Sequence, residues 1–90
     1  MAVAVRIPTI LRQYTGGDKM VAAQGADLEA VIADLDANYP GIADRLVDES
    51  GLRRFINVYL NDEDVRFLQG LQTSIDDGDN LTILPAVAGG

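Results

Sequence analysis

LeuThrIleLeuProAlaValAlaGlyGly, residues 81–90, carries an apolar strand that ends near Pro85 and then narrows to two glycines. The opposite end of the chain, AlaValAlaValArgIle at 2–7, is also a strand. Val3, Val5 and Ile7 fall on one face at the two-residue period, and Pro8, which lacks an amide donor, ends it. Strands at both ends of a short chain predict a sheet in which the last strand pairs beside the first, in the middle.

Between them, Thr15-Gly16-Gly17-Asp18 is a turn signal, after which LysMetValAlaAlaGln (19–24) returns as a second strand. Asp27 suits a helix N-cap. Leu28, Val31, Ile32 and Leu35 follow at i, i+3, i+4 and i+7, one apolar stripe with Glu29, Asp34 and Asp36 turned mostly away. Asn38-Tyr39-Pro40-Gly41 stops that helix, and Ile42, Leu46 and Val47 predict a short second one. ArgArgPheIleAsnValTyrLeuAsn (53–61) is the clearest internal strand, with Ile56, Val58 and Leu60 on one face and Phe55, Asn57 and Tyr59 on the other. Residues 61–64 form an acidic turn, Val65 to Phe67 a very short strand, and Asp76-Asp77-Gly78-Asp79 a turn into the last strand. The fold class is α+β: a mixed sheet of about four to five strands, one face covered by one main helix and the other open to water or a partner. The domain is expected to span residues 1–87, with 88–90 as a C-terminal tail.

Ninety residues, 48% of them hydrophobic, suffice for one small core. The chain has no cysteine, which excludes disulfides, thiolate metal sites and a thiol nucleophile, and no histidine, the usual proton carrier near neutral pH. Fourteen Asp and Glu against seven Lys and Arg give a net charge of -7. That balance disfavours nucleic acid and anionic membrane as partners; it either favours a basic protein surface or does no more than keep the protein soluble. The N-terminal apolar run is broken at Arg6 and Pro8 before it reaches signal-peptide length, no stretch is long enough to span a membrane, and a cytoplasmic protein is expected.

Gly16-Gly17-Asp18-Lys19 lacks the spacing of a phosphate loop and reads as a hairpin turn. The acidic clusters at 61–64 and 76–80 lack the alternating ligands and closing glutamate of a calcium loop, and read as solvated turns. No metal site and no catalytic residue is expected. Ala88-Gly89-Gly90 reads either as an ordinary frayed end or as a peptide slim enough to thread another enzyme's channel. The group it would deliver is the Gly90 carboxylate, ionised at neutral pH and a poor electrophile until another enzyme activates it. Ordering such a segment costs about 1–2 kcal/mol per residue, so the globular body is expected to add docking contacts. Phe67 and Leu84, with nearby acidic residues, are the candidates; the alternative for both is core or rim packing.

AspAspGlyAspAsnLeuThrIleLeuProAlaValAlaGlyGly (76–90) resembles the closing turn, strand and diglycine of the ubiquitin-like β-grasp sulfur carriers, the ThiS/MoaD family. ArgIleProThrIleLeuArgGlnTyrThrGlyGly (6–17), ValIleAlaAspLeuAspAlaAsnTyrProGlyIle (31–42) and PheIleAsnValTyrLeuAsnAspGluAspValArgPhe (55–67) are similar to its cysteine-biosynthesis branch. The resemblance covers nearly the whole chain. It implies a β-grasp fold and chemistry at Gly90, threaded by Gly89 and Ala88: ATP-dependent adenylation by a ubiquitin-activating-like adenylyltransferase/sulfurtransferase, then replacement by sulfur to give a thiocarboxylate. It further implies that the sulfur adds to an aminoacrylate on a pyridoxal-phosphate (PLP)-dependent cysteine synthase. An acyl shift would leave cysteine amide-linked to Gly90, and a metal-dependent peptidase would release it. ATP and PLP would then belong to the partner enzymes, the carrier binding no cofactor and being no enzyme itself. Sulfur supply for molybdopterin, thiamin or thiosugar synthesis, a modifier joined to lysines, and a small interaction subunit with an incidental tail stay open.

Overall fold

A computed structural model of the chain describes residues 2–85. The buried Val3 and Val5 alternate with the exposed Ala2 and Arg6, which makes β1 (Ala2–Arg6) a strand with one face in the core. The chain continues through β2 (Met20–Gln24), α1 (Leu28–Asn38), α2 (Ile42–Leu46), β3 (Val47–Asp48), β4 (Gly51–Leu52), β5 (Ile56–Leu60), β6 (Glu63–Asp64) and β7 (Asn80–Pro85). Five strands form one mixed sheet in the order β2-β1-β7-β5-β6. The two ends of the chain pair as expected: β7 lies beside β1 in parallel, Val5 facing Leu81 and Arg6 facing Thr82, and antiparallel to β5 on its other side.

One face of the sheet is sealed by α1. Leu28, Val31, Ile32 and Leu35, the predicted stripe, are all buried and share a core with Val3, Val5, Ile7, Val58, Leu81 and Ile83. Asp27 caps the helix, its Oδ1 accepting from the Ala30 amide at 2.8 Å. Asp34 and Asp36 are not simply solvent-facing, contrary to the reading of their positions on the stripe. Asp34 accepts from the Gln24 amide on edge strand β2 at 2.9 Å, and Asp36 accepts from the amides of Gly41 and Ala43 at 3.0 and 3.1 Å. One carboxylate blunts a sheet edge and the other satisfies free amides at the start of α2.

Three short features depart from the sequence reading. Val65–Phe67 is a 3-10 turn, not a strand; the short strand is Glu63–Asp64, which pairs with Leu60 and Tyr59 across the tight turn at Asn61 and Asp62. Asp64 caps the 3-10 turn by accepting from the Arg66 amide at 2.8 Å, which turns the chain out of the ladder. Thr9–Thr15 is a longer 3-10 helix, closed at Gly16 and Gly17, whose φ values of 66° and 93° only glycine adopts freely. The two-residue strands β3 and β4 form a separate hairpin. The expected domain boundary at residue 87 and the tail 88–90 lie outside the described residues.

Candidate functional site

The site is the end of the sheet where β7 hands the chain on to its last residues. Strand β1 leaves the sheet at Pro8, so its ladder with β7 ends at Arg6 and Thr82, while β5 stays paired with β7 through Leu84 and Pro85. Pro85 is tolerated there because β7 then has one neighbour instead of two. The ladder carries β7 outward along one edge of a groove of about 270 Å³ lined by Arg6, Ile10, Arg12, Leu84 and Pro85.

Register then decides which side chains surround this exit. On the face away from α1, Met20, Arg6, Thr82, Tyr59 and Asp64 stand in one row across the five strands, and Leu84 stands opposite Asn57 in a neighbouring row. Leu84 is 43% exposed, a large apolar side chain at the mouth of the exit. Phe67, at 87% exposure, is the most open of the large apolar residues among the described residues, so neither candidate is a core residue. They stand on different elements. What links them is Arg66, next to Phe67 in sequence, whose guanidinium donates to Asn57 Oδ1 at 2.7 Å and to the Arg53 carbonyl at 2.6 Å.

The charges beside Leu84 are not the acidic ones expected. Arg6 and Arg12 share its groove, and Arg66 is bonded to its cross-strand neighbour. Net composition concealed this, and a cluster of carboxylates, Asp76, Asp77 and Asp79, stands at the other end of β7. There Asp77 accepts from the Ala2 amide at 3.0 Å, and Asp79 accepts from Asn61 Nδ2 at 3.0 Å and the Asp76 amide at 2.8 Å. Those two bonds, the Asn61 one first, hold the Asp79 carboxyl below the usual carboxylate range. Of the arginines, Arg6 was within reach of the sequence: it is the last residue before Pro8 in a strand expected to pair with the last one. Arg66 carried no such signal.

Gly90, Gly89 and Ala88 lie outside the described residues. Among the described residues no helix is long and apolar enough to cross a membrane.

A ThiS family model matches residues 5–90. Over the full length of both chains the protein is 63% identical to the sulfur carrier protein CysO of Mycobacterium tuberculosis. It is similar to a chain of the crystal structure of the Amycolatopsis orientalis BexX/CysO complex, with a TM-score of 0.93 and 60% identity, over 98% of this chain and 99% of that one. It also matches the solution structure of small archaeal modifier protein 1 from Methanosarcina acetivorans, with a TM-score of 0.83 and 30% identity over 99% and 96% of the two chains. With its diglycine, its β-grasp sheet and a match running from β1 to the last residue, this chain belongs to the ThiS family.

Proposed function

We propose that this protein is a sulfur carrier of the cysteine-synthesis type, whose working group is the Gly90 carboxylate. The observation that carries the reading is the full-length 63% identity to the CysO sulfur carrier, which includes the segment leading out of β7. The chemistry follows from the carboxylate's inertness. An activating enzyme of the adenylyltransferase/sulfurtransferase kind joins the Gly90 oxygen to the α-phosphorus of ATP and releases pyrophosphate. A sulfide donor then attacks the acyl carbon, AMP leaves, and a thiocarboxylate remains.

The thiocarboxylate sulfur is a far better nucleophile than the oxygen it replaces. In this reading it adds to the aminoacrylate of a PLP-dependent cysteine synthase, the acyl group shifts from sulfur to the amino nitrogen to leave cysteine amide-linked to Gly90, and a metal-dependent peptidase later frees the cysteine. The carrier's own share is positional: a rigid body, a narrow tail with Gly89 and Ala88 to pass a channel, and Leu84 and Phe67 as apolar docking contacts. A second reading, a modifier joined to lysines, is favoured by the likeness to the small archaeal modifier protein and shares the activation step.

The test is ATP–pyrophosphate exchange by the activating enzyme from the same host. Exchange that needs this chain, and vanishes when the chain stops at Gly89, supports the carrier. Exchange undiminished by loss of Gly90 refutes it. Leu84→Ala and Phe67→Ala are expected to raise KM for the chain with little change in kcat; an unchanged KM removes the residue concerned from the docking surface.

A further inference from the structure

The protein carries twice as many acidic as basic side chains, yet the place where the chain leaves the sheet is cationic. Arg6 ends β1 opposite Thr82 and lines the exit groove together with Arg12, Leu84 and Pro85. Arg54 is exposed in the turn that leads into Ile56, the residue paired with Pro85. Arg66 closes the ring from the other side through Asn57. The guanidinium hydrogen bonds here end on neutral oxygens: Arg12 donates to the Ile7 carbonyl at 3.1 Å, and Arg66 to Asn57 Oδ1 and the Arg53 carbonyl. Such bonds orient the charge without neutralising it.

Asp76, Asp77 and Asp79 precede β7, and Asp62 and Glu63 sit in the hairpin whose Asn61 is tied to Asn80 through both backbone and side chain. The charges flanking β7 are therefore sorted, with Asp76, Asp77 and Asp79 where the strand begins and Arg12, Arg54 and Arg66 where it ends; Arg6 stands between, facing Asp62 on one side and the exit groove on the other. Self-repulsion explains spreading of like charges, but not their sorting to the two ends of one strand.

We propose that Arg6, Arg12, Arg54 and Arg66 form a cationic collar that docks on carboxylates around the mouth of the activating enzyme's channel. The inference rests on the carrier reading above. Chain length selects protein carboxylates over the phosphates of ATP as the counter-charge. Gly90 is the fifth residue after Pro85, a reach of about 17 Å when extended. With the tail threaded, the collar stands that far from the carbonyl that meets ATP, at the rim of the channel. There it steers the acidic protein tail-first onto its partner, and repels a partner whose rim is basic.

The experiment measures ATP–pyrophosphate exchange with the full-length chain and its activating enzyme as carrier concentration and salt are varied. Three chains are compared: wild type, Arg6→Glu with Arg54→Glu, and Arg6→Lys with Arg54→Lys. Both positions are exposed on the surface. The charge reversal is expected to raise KM for the carrier by about tenfold or more with kcat unchanged, and the lysine chain to stay close to wild type. Wild-type KM is expected to rise between about 0.05 and 0.5 M NaCl, and that of the reversed chain to rise less. An unchanged or lower KM on charge reversal, or a wild-type KM indifferent to salt, overturns the collar. A wild-type chain that supports no exchange at all overturns the carrier reading, and the collar with it.

Discussion

Ile56 stands directly opposite Pro85, so the β5–β7 ladder runs to the last described residue of the chain. The base of the tail is thus held by the same strand that carries Val58 in the core. Deleting Gly90, or replacing Gly89 by alanine, is expected to leave the melting temperature unchanged while abolishing thiocarboxylation. Thermal denaturation beside intact mass checks both halves at once; a large loss of Tm in either variant contradicts this division of labour.

Gly25, between β2 and α1, is a glycine for lack of room. A Cβ built there lies 2.6 Å from the Val31 amide nitrogen and 2.8 Å from the Ala30 carbonyl carbon, both backbone atoms in the first turns of the helix. Neither can rotate away. Gly25→Ala is expected to destabilise the protein by about 1–3 kcal/mol, read from urea denaturation, through displacement of the N-terminus of α1. Stability equal to wild type would show that the connection to β2 yields more than its geometry suggests.

The β5–β6 turn is strained in the opposite sense. Asn61 and Asp62 have φ of 49° and 78°, the left-handed region that a two-residue hairpin requires and that favours glycine at the second position. Asp62→Gly is expected to stabilise the fold by about 0.5 kcal/mol, a rise of a few degrees in Tm for a domain of this size. A lower Tm would mean that the Asp62 side chain holds something its backbone does not reveal.

Asp79 predicts part of the acid sensitivity. Its carboxyl is held below the ordinary range by Asn61 first and then by the Asp76 amide, so the charged form is preferred in the folded protein. A depressed folded value means that the contribution to stability is fully present above the unfolded carboxyl pKa, about 3.9, and is lost as pH falls through the folded value. Asp79→Asn removes the titration. Its stability is expected to fall less steeply than that of wild type below about pH 4, measured by urea denaturation at several pH values. Parallel acid limbs would contradict the assignment.

Long elements with one buried face were legible because burial imposes a period: two for β1, β5 and β7, and 3.6 for the stripe Leu28, Val31, Ile32, Leu35. The pairing of the chain ends followed from their both being strands. Elements of two or three residues, such as β3, β4 and the turn at Val65–Phe67, are too short to show a period and are set by capping and tertiary contact, as Asp64 shows. At the site, Leu84 and Phe67 were recognisable as apolar candidates for docking, Leu84 close to the end of the chain and Phe67 in the turn after β6. The sign of the charge around them was not, because Arg6, Arg12 and Arg66 reach the exit only through the parallel β1–β7 register and a side chain spanning from a 3-10 turn to Asn57. Composition averages over charges that the fold sorts locally along β7.

The central claim is that the chemistry of this protein takes place on the carboxylate of Gly90. The direct measurement is mass spectrometry of the protein purified from its own host, intact and then as its C-terminal peptide. The account predicts a fraction of chains with one oxygen exchanged for sulfur, or one added cysteine residue, localised to Gly90. Chains whose Gly90 bears only an unmodified carboxylate, with the activating enzyme present and sulfur supplied, would contradict it.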